Sequence, residues 1–253
     1  VCAEAAGHGC PVSVTFNEHF VTPAAWDLGR RLLQEAQEAG ASAVIVADLA
    51  AVEPVRKELA MDIHVSGDAG IYNASGCRLA FDLGATRVIF PRELPPTCMG
   101  ETVAAAAGEG RQFEAFIMGE PCVFDGARCF TEHGYGFACD FCNDHTVKKL
   151  GTRGRRATEP LAPSHEDLLD NARVRHVWAL GRCGLCAVPF LGSANVTHLK
   201  IPGRASAALT ATKLVKAMLE TRSATAAHAR NLLDAPELCS SGEFCYYPEL
   251  CDG

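Results

Sequence analysis

An α/β fold with a parallel sheet of (β/α)-barrel type is what this sequence predicts, and three observations predict it. Over the first two-thirds of the chain, short runs rich in β-branched residues alternate with longer stretches whose apolar positions recur at helical spacing. Gly40, Gly84 and Gly110 stand just past the helical stretches, where glycine closes a helix in the left-handed conformation without steric cost. The 253 residues, 48% of them hydrophobic, suffice to bury one barrel-sized core or two smaller ones.

Taken in order, strands are expected at residues 12–16, 43–47, 62–65, 87–90 and 113–118, with helices at 26–39, 51–59, 75–83 and about 101–107. From Pro121 the rhythm breaks into a segment rich in Cys, Gly and aromatic residues that runs to Cys142. A basic loop and a proline-bearing linker near residues 159–164 follow. A strand is expected to resume near 174–180, then the CGLC turn, a strand at 197–201 and one long helix from about 206 to 232. The expected organisation is therefore a barrel domain over residues 1–234, with a Cys-rich insertion at about 121–160, and a Cys-rich tail over 235–253. No repeat of solenoid period is visible.

Charge narrows the partners. A formal net charge of −7 and a pI near 5.7 argue against a general nucleic-acid or anionic-membrane coat, which demands excess Lys and Arg. Lys148, Lys149, Arg153, Arg155 and Arg156 form a local exception, either a solvated loop or a contact for phosphate, so RNA stays among the candidate partners. No stretch approaches the roughly 18 uninterrupted apolar residues of a spanning helix. The start, VCAEAAGHGC, lacks the order of a signal peptide. A soluble, cytoplasmic protein is expected, and its first residue, Val1 rather than Met, suggests a shortened beginning.

In a parallel barrel, polar residues at the C-terminal ends of strands face the active-site mouth. Those ends supply Asn17, Asp48, His64, Arg92, Glu93, Glu120, Lys200 and Arg204. Any one of them serves equally well as a local cap or ion-pair partner. Together they describe a polar pocket for a small anionic or aromatic substrate, with Asp48, His64, Arg92, Glu93, Lys200 and Arg204 as the candidate catalytic and binding groups.

Thirteen cysteines in a chain without a secretory signal read first as metal ligands. Cys122 and Cys129 have six residues between them, while Cys139/Cys142 and Cys183/Cys186 are CxxC pairs. Thiolates at such spacing converge on iron or zinc, and the spacing alone does not choose between the metals. A redox dithiol is disfavoured because neither CxxC is expected to open a helix after a strand. Cys239, Cys245 and Cys251 recur at equal intervals in the tail, either as a second metal site completed by a spare CxxC thiol or as a loose tail. Cys2, Cys10, Cys77 and Cys98 have no partners at ligand spacing and read as small buried hydrophobes.

Several segments, in this order, resemble the collagenase-like peptidase U32 family. NASGCRLAFDLGATRVIFPREL is similar to the family's helix and strand ending in an ARELS-type motif, with Arg92 and Glu93 at the matching positions. FIMGEPCVFDGARCF resembles its G-x-x-C and S-G-R-C signature: Gly119, Cys122, Arg128 and Cys129 match, while Gly126 and Ala127 replace the serine and glycine. HLKIPGR resembles SLKIEGR, matching at Lys200, Gly203 and Arg204 but carrying Pro202 in place of the glutamate. The resemblance covers roughly residues 11–219. It implies an incomplete TIM-like barrel that lacks its opening strands, with a partner subunit, a second copy or residues preceding Val1 covering the open edge. Better-understood relatives are iron-sulfur proteins that hydroxylate ubiquinone precursors or RNA without oxygen, with prephenate as hydroxyl donor. By resemblance, then, Cys122, Cys129, one of Cys139 and Cys142, and Cys183 would hold a 4Fe-4S cluster.

Three functions follow as expectations: a cluster-dependent hydroxylase, a collagenase-like peptidase, or a non-catalytic iron-sulfur or zinc subunit of a larger assembly. The sequence carries no HExxH helix or GxSxG elbow to favour hydrolysis.

Overall fold

The structure, a computed structural model, describes residues 1–119, 182–203, 207–221, 225–233, 239 and 245–250. The expected strand at 174–180, the Cys-rich insertion, Arg204 and the residues Glu120, Cys122, Cys129, Cys139, Cys142 and Cys251 lie outside them. The chain divides into two compact units. Among the described residues, the first takes in 1–115 and 191–199, and the second takes in 116–119, 182–190 and those from 200 onward.

After a short helix α1 (Cys2–Gly7), the expected βα alternation appears as β1 (Ser13–Phe16), α2 (Pro23–Glu38), β2 (Ala43–Val46), α3 (Val52–Glu58), β3 (Asp62–Val65), α4 (Ala74–Leu83), β4 (Arg87–Ile89), α5 (Pro96–Ala106) and β5 (Gln112–Phe116). The chain continues through β6 (Met118–Gly119), β7 (Arg182–Cys183), α6 (Val188–Ser193), β8 (His198–Lys200), α7 (Ala207–Glu220) and α8 (Ala226–Leu233). Six strands form one sheet in the order β1, β2, β3, β4, β5, β8. The first five pair in parallel. β8 runs parallel too: Thr197 N–H donates to Phe113 O at 3.0 Å, and Ile117 N–H donates to Lys200 O at 2.9 Å, ascending together. With right-handed crossovers, a strand order that follows the chain puts every helix on one face. That winding is the incomplete TIM-like barrel, not a doubly wound sheet, whose order reverses at a switch point.

Local chemistry explains the helix starts. Thr22 accepts the Ala25 N–H at 3.1 Å and Pro23 occupies the first turn of α2, while Asn73 accepts the Gly76 N–H at 3.0 Å to open α4. Pro96 likewise opens α5, which begins ahead of the expected start at about 101. Phe16 meets Trp26 of α2 at a ring-centroid distance of 6.2 Å, and Phe113 meets Phe81 of α4 edge-on at 5.5 Å. These residues mark the helix-covered face. Because strand side chains alternate, the row Thr15, Ile45, His64, Arg87 and Gln112, in register across five strands, belongs to the other face.

Two expectations needed revision. The strand expected at 113–118 divides at Ile117: Met118 and Gly119 leave the parallel sheet and pair antiparallel with Cys183 and Arg182. Gly119 adopts φ of 141°, and a Cβ there would lie 2.5 Å from the Pro202 carbonyl oxygen, so only glycine suits the turn. The single helix expected over 206–232 is two helices. Thr225 accepts the His228 N–H at 3.1 Å and so caps a new helix, a task that hydroxyl residues perform better than helix interior. No helix among the described residues is long and apolar enough to cross a membrane.

Candidate functional site

The mouth of the first unit is built from the turns that follow its strands. After β2, Asp48 Oδ1 accepts the Ala50 N–H at 2.9 Å and Oδ2 accepts the Val21 N–H at 3.0 Å. Both oxygens thus hold backbone, which gives the expected substrate-facing acid a capping role. After β3, Ser66 caps a 3-10 turn and donates to Asp68 Oδ2 at 3.2 Å. After β4, Glu93 accepts the Tyr72 hydroxyl at 2.7 Å, and half-buried Arg92 lies beside it in sequence. Asn17, just past β1, has its Oδ1 buried without a hydrogen-bond partner among the described residues. Tyr72 and Asp68 were not singled out from the sequence. Their only signal was position after a strand.

His64 is not a mouth residue. It is the third residue of β3, only 5% exposed, and stands opposite Arg87 on the inner face. Burial pushes its pKa down to about 4, with the Arg87 guanidinium adding to the effect, so the ring is neutral at physiological pH. Around Arg87 is a network the sequence reading missed. Its Nη1 donates to Glu114 Oε2 at 2.9 Å, Nε and Nη2 donate to Gln112 Oε1 at 3.0 and 2.8 Å, and Nη2 lies 2.8 Å from His198 Nε2. Arginine only donates, so His198 Nε2 must accept, leaving the proton on Nδ1 to face Thr197 Oγ1 at 2.8 Å. Thr197 passes its own proton to Phe113 O at 2.9 Å, which closes the chain of donors. Burial, then Arg87, holds His198 below the ordinary imidazole value, consistent with this neutral tautomer. Arg87, Gln112 and His198 open their strands, so the network lies toward the N-terminal end of the sheet, the end where barrels carry stability.

In the second unit, Lys200 ends β8 with its Nζ 5.6 Å from the Phe116 ring centroid. Cys183 ends β7, is 5% exposed, and its sulfur accepts the Leu185 N–H at 3.5 Å. A 3-10 turn over Leu185–Ala187 leads from it into α6, so this CxxC does sit at a strand-to-helix junction, contrary to expectation. Cys186 lies within that turn and is half-buried. The tail returns here: Cys245 forms a parallel bridge with Cys183, and Tyr246 N–H donates to Cys183 O at 2.8 Å. Cys239 is half-buried. No group of three or more His, Cys, Asp and Glu side chains among the described residues is arranged to hold a metal ion. Cys183 and Cys245 nevertheless suit a soft metal or an iron-sulfur group as a pair of thiols, since the isolated bridge sets them opposite each other at about the 4.8 Å backbone spacing of paired chains. Cys77 does not: burial pushes its thiol up to about 12, and it packs in the core of α4.

Comparison with known proteins follows the same lines. The family model described as Peptidase family U32 matches residues 1–238. No curated protein matches the chain. Among solved structures, that of the U32 peptidase Mk0906 is similar at 19% identity and a TM-score of 0.39, over 46% of this chain and 49% of that one. The chain thus spans about half the length of that peptidase.

Proposed function

The chain belongs to peptidase family U32, and from that premise we propose that it is an iron-sulfur protein that hydroxylates an aromatic or nucleobase substrate without molecular oxygen, taking the hydroxyl group from prephenate. The observation that carries the reading is Cys183, a buried thiol at a strand end that accepts a backbone N–H and has a second cysteine, Cys245, set opposite it by an isolated parallel bridge. The resemblance adds Cys122, Cys129 and one of Cys139 and Cys142 as further ligands. When bound, a 4Fe-4S cluster supplies a Lewis acid or an electron relay. The chain's own part is to bind and orient. In the first unit Arg92 offers a cationic donor to a substrate carboxylate and Tyr72 holds Glu93 in a fixed position, and in the second unit Lys200 offers another. Phe20, Leu28 and Leu32, at 75, 55 and 56% exposure, support a partner subunit lying along the first βα unit.

Anaerobic purification followed by metal and sulfide analysis and electron paramagnetic resonance tests this reading. Iron and acid-labile sulfide in near-equal amounts are expected. Zinc without sulfide would replace the cluster by a zinc centre, and neither metal would end the proposal. A second reading, peptide hydrolysis, is favoured by the family's name. Peptide release that persists after the metal is stripped would establish it.

A further inference from the structure

We propose that the C-terminal tail, which lies beyond the family match, supplies Cys245 as the fourth thiolate ligand of the cluster that Cys183 holds, in the place the resemblance gives to one of Cys139 and Cys142. The proposal deepens the iron-sulfur reading and rests on it. The family match ends at residue 238, yet Tyr246 and Tyr247 beyond it are fastened to Cys183, Phe116 and Gly119 by backbone and side-chain hydrogen bonds. Tyr246 N–H donates to Cys183 O at 2.8 Å, and the resulting parallel bridge sets Cys245 opposite Cys183. The Tyr247 hydroxyl donates to Phe116 O at 2.6 Å with the residue 1% exposed, and the Tyr246 hydroxyl donates to Gly119 O at 3.3 Å.

The turn is also shaped for the tail. Gly184, the residue after Cys183, faces the Tyr247 ring so closely that a Cβ would stand 3.0 Å from it, with Ile117 O at 3.1 Å. A side chain at Gly184 would press on the Tyr247 ring, which would have to give by a few tenths of an ångström. Two buried tyrosines and a spacer glycine thus fix one short stretch at one register, and the residue they fix opposite a candidate ligand is a cysteine. Thiols set opposite one another by a bridge would suit neighbouring irons of one cluster, each iron taking one thiolate. On binding, each thiol gives its proton to solvent, so the ligands enter as thiolates.

The full chain, purified anaerobically, provides the test. Cys245→Ala is expected to change the paramagnetic resonance signature and to speed loss of iron to a chelator by about tenfold or more. Cys98→Ala, at an exposed cysteine on α5, is expected to match the unmodified protein. Alkylation mapping by mass spectrometry supplies a readout that needs no variant. Half-buried Cys245 is expected to resist alkylation in the metal-loaded protein and to react once the metal is removed, while Cys98 reacts throughout. Unchanged spectrum and iron retention in Cys245→Ala, ready alkylation of Cys245 in the loaded protein, or a Cys183–Cys245 disulfide would each overturn the proposal and leave the iron-sulfur reading standing. An unmodified chain that binds neither iron nor zinc would instead bring down that reading, and the tail ligand with it.

Discussion

Glu114 is 8% exposed, a carboxylate buried among β-strand residues, and Arg87 is what makes that position tenable. Removing one partner of a buried pair leaves the other desolvated and unpaired, so Glu114→Gln is expected to lower stability by about 3 kcal/mol in urea unfolding at neutral pH. Glu53→Gln breaks the exposed Glu53–Lys57 pair on α3 instead and is expected to leave the midpoint unchanged. Protonation should act on the same face. The unfolded chain takes up a proton on His64 below about pH 6.5, whereas the folded one does so only near pH 4. Between those values the unfolded state binds more protons, so stability falls as pH is lowered through the window, by up to about 3 kcal/mol. His198, also depressed, adds to the slope in the same direction. His64→Gln is expected to flatten most of the slope in unfolding midpoints measured between pH 7 and 4. The alternation of Phe113 with Glu114 was readable in the sequence. The partnership with Arg87 was not, because it depends on the register between β4 and β5.

At the scale of elements, β-branched runs followed by helical periodicity placed the first five strands to within a residue or two, because period 2 and period 3.6 differ sharply over such lengths. Failures gathered where one residue's backbone outweighs a pattern. An apolar run continues unbroken through Phe116, Ile117 and Met118, yet the parallel strand divides at Ile117 and Gly119 pairs with β7, and the Thr225 cap splits a helix whose alanine-rich sequence looks continuous. Gly119→Ala tests the first of these. A Cβ at φ of 141° and 2.5 Å from Pro202 O cannot be accommodated without backbone movement. The expected cost is about 1–3 kcal/mol, read as a lower melting temperature. Gly192→Ala, where a Cβ meets nothing within 4 Å, serves as the comparison and is expected to be close to neutral or slightly stabilising.

For the whole molecule, the sheet's winding was legible because each βα unit is local, and strand order simply follows chain order. The sites were legible only in part. Ligand-like cysteines announce themselves by type and spacing, but the return of the tail to β7 is a contact between Cys183 and Cys245, 62 residues on, that no local pattern encodes. What fixes it is aromatic burial. Tyr246 and Tyr247 read in the sequence as ordinary tail residues, yet at 7 and 1% exposure they belong to the core of the second unit. Their removal therefore has a consequence separate from any metal. Deleting a fully buried aromatic side chain costs about 3–5 kcal/mol, and the Tyr247 hydroxyl also satisfies Phe116 O at 2.6 Å, so Tyr247→Ala is expected to fall in that range in the metal-free protein. The loss should register as faster hydrogen exchange at Ile117, Met118 and Leu185, buried residues of the second unit to which the tyrosine belongs. Val44, Val65 and Val88 in the first should keep their protection. Uniform loss of protection across all six amides would mean that the units unfold as one, and unchanged exchange at Ile117 and Leu185 would mean that the tail is held by something other than Tyr247.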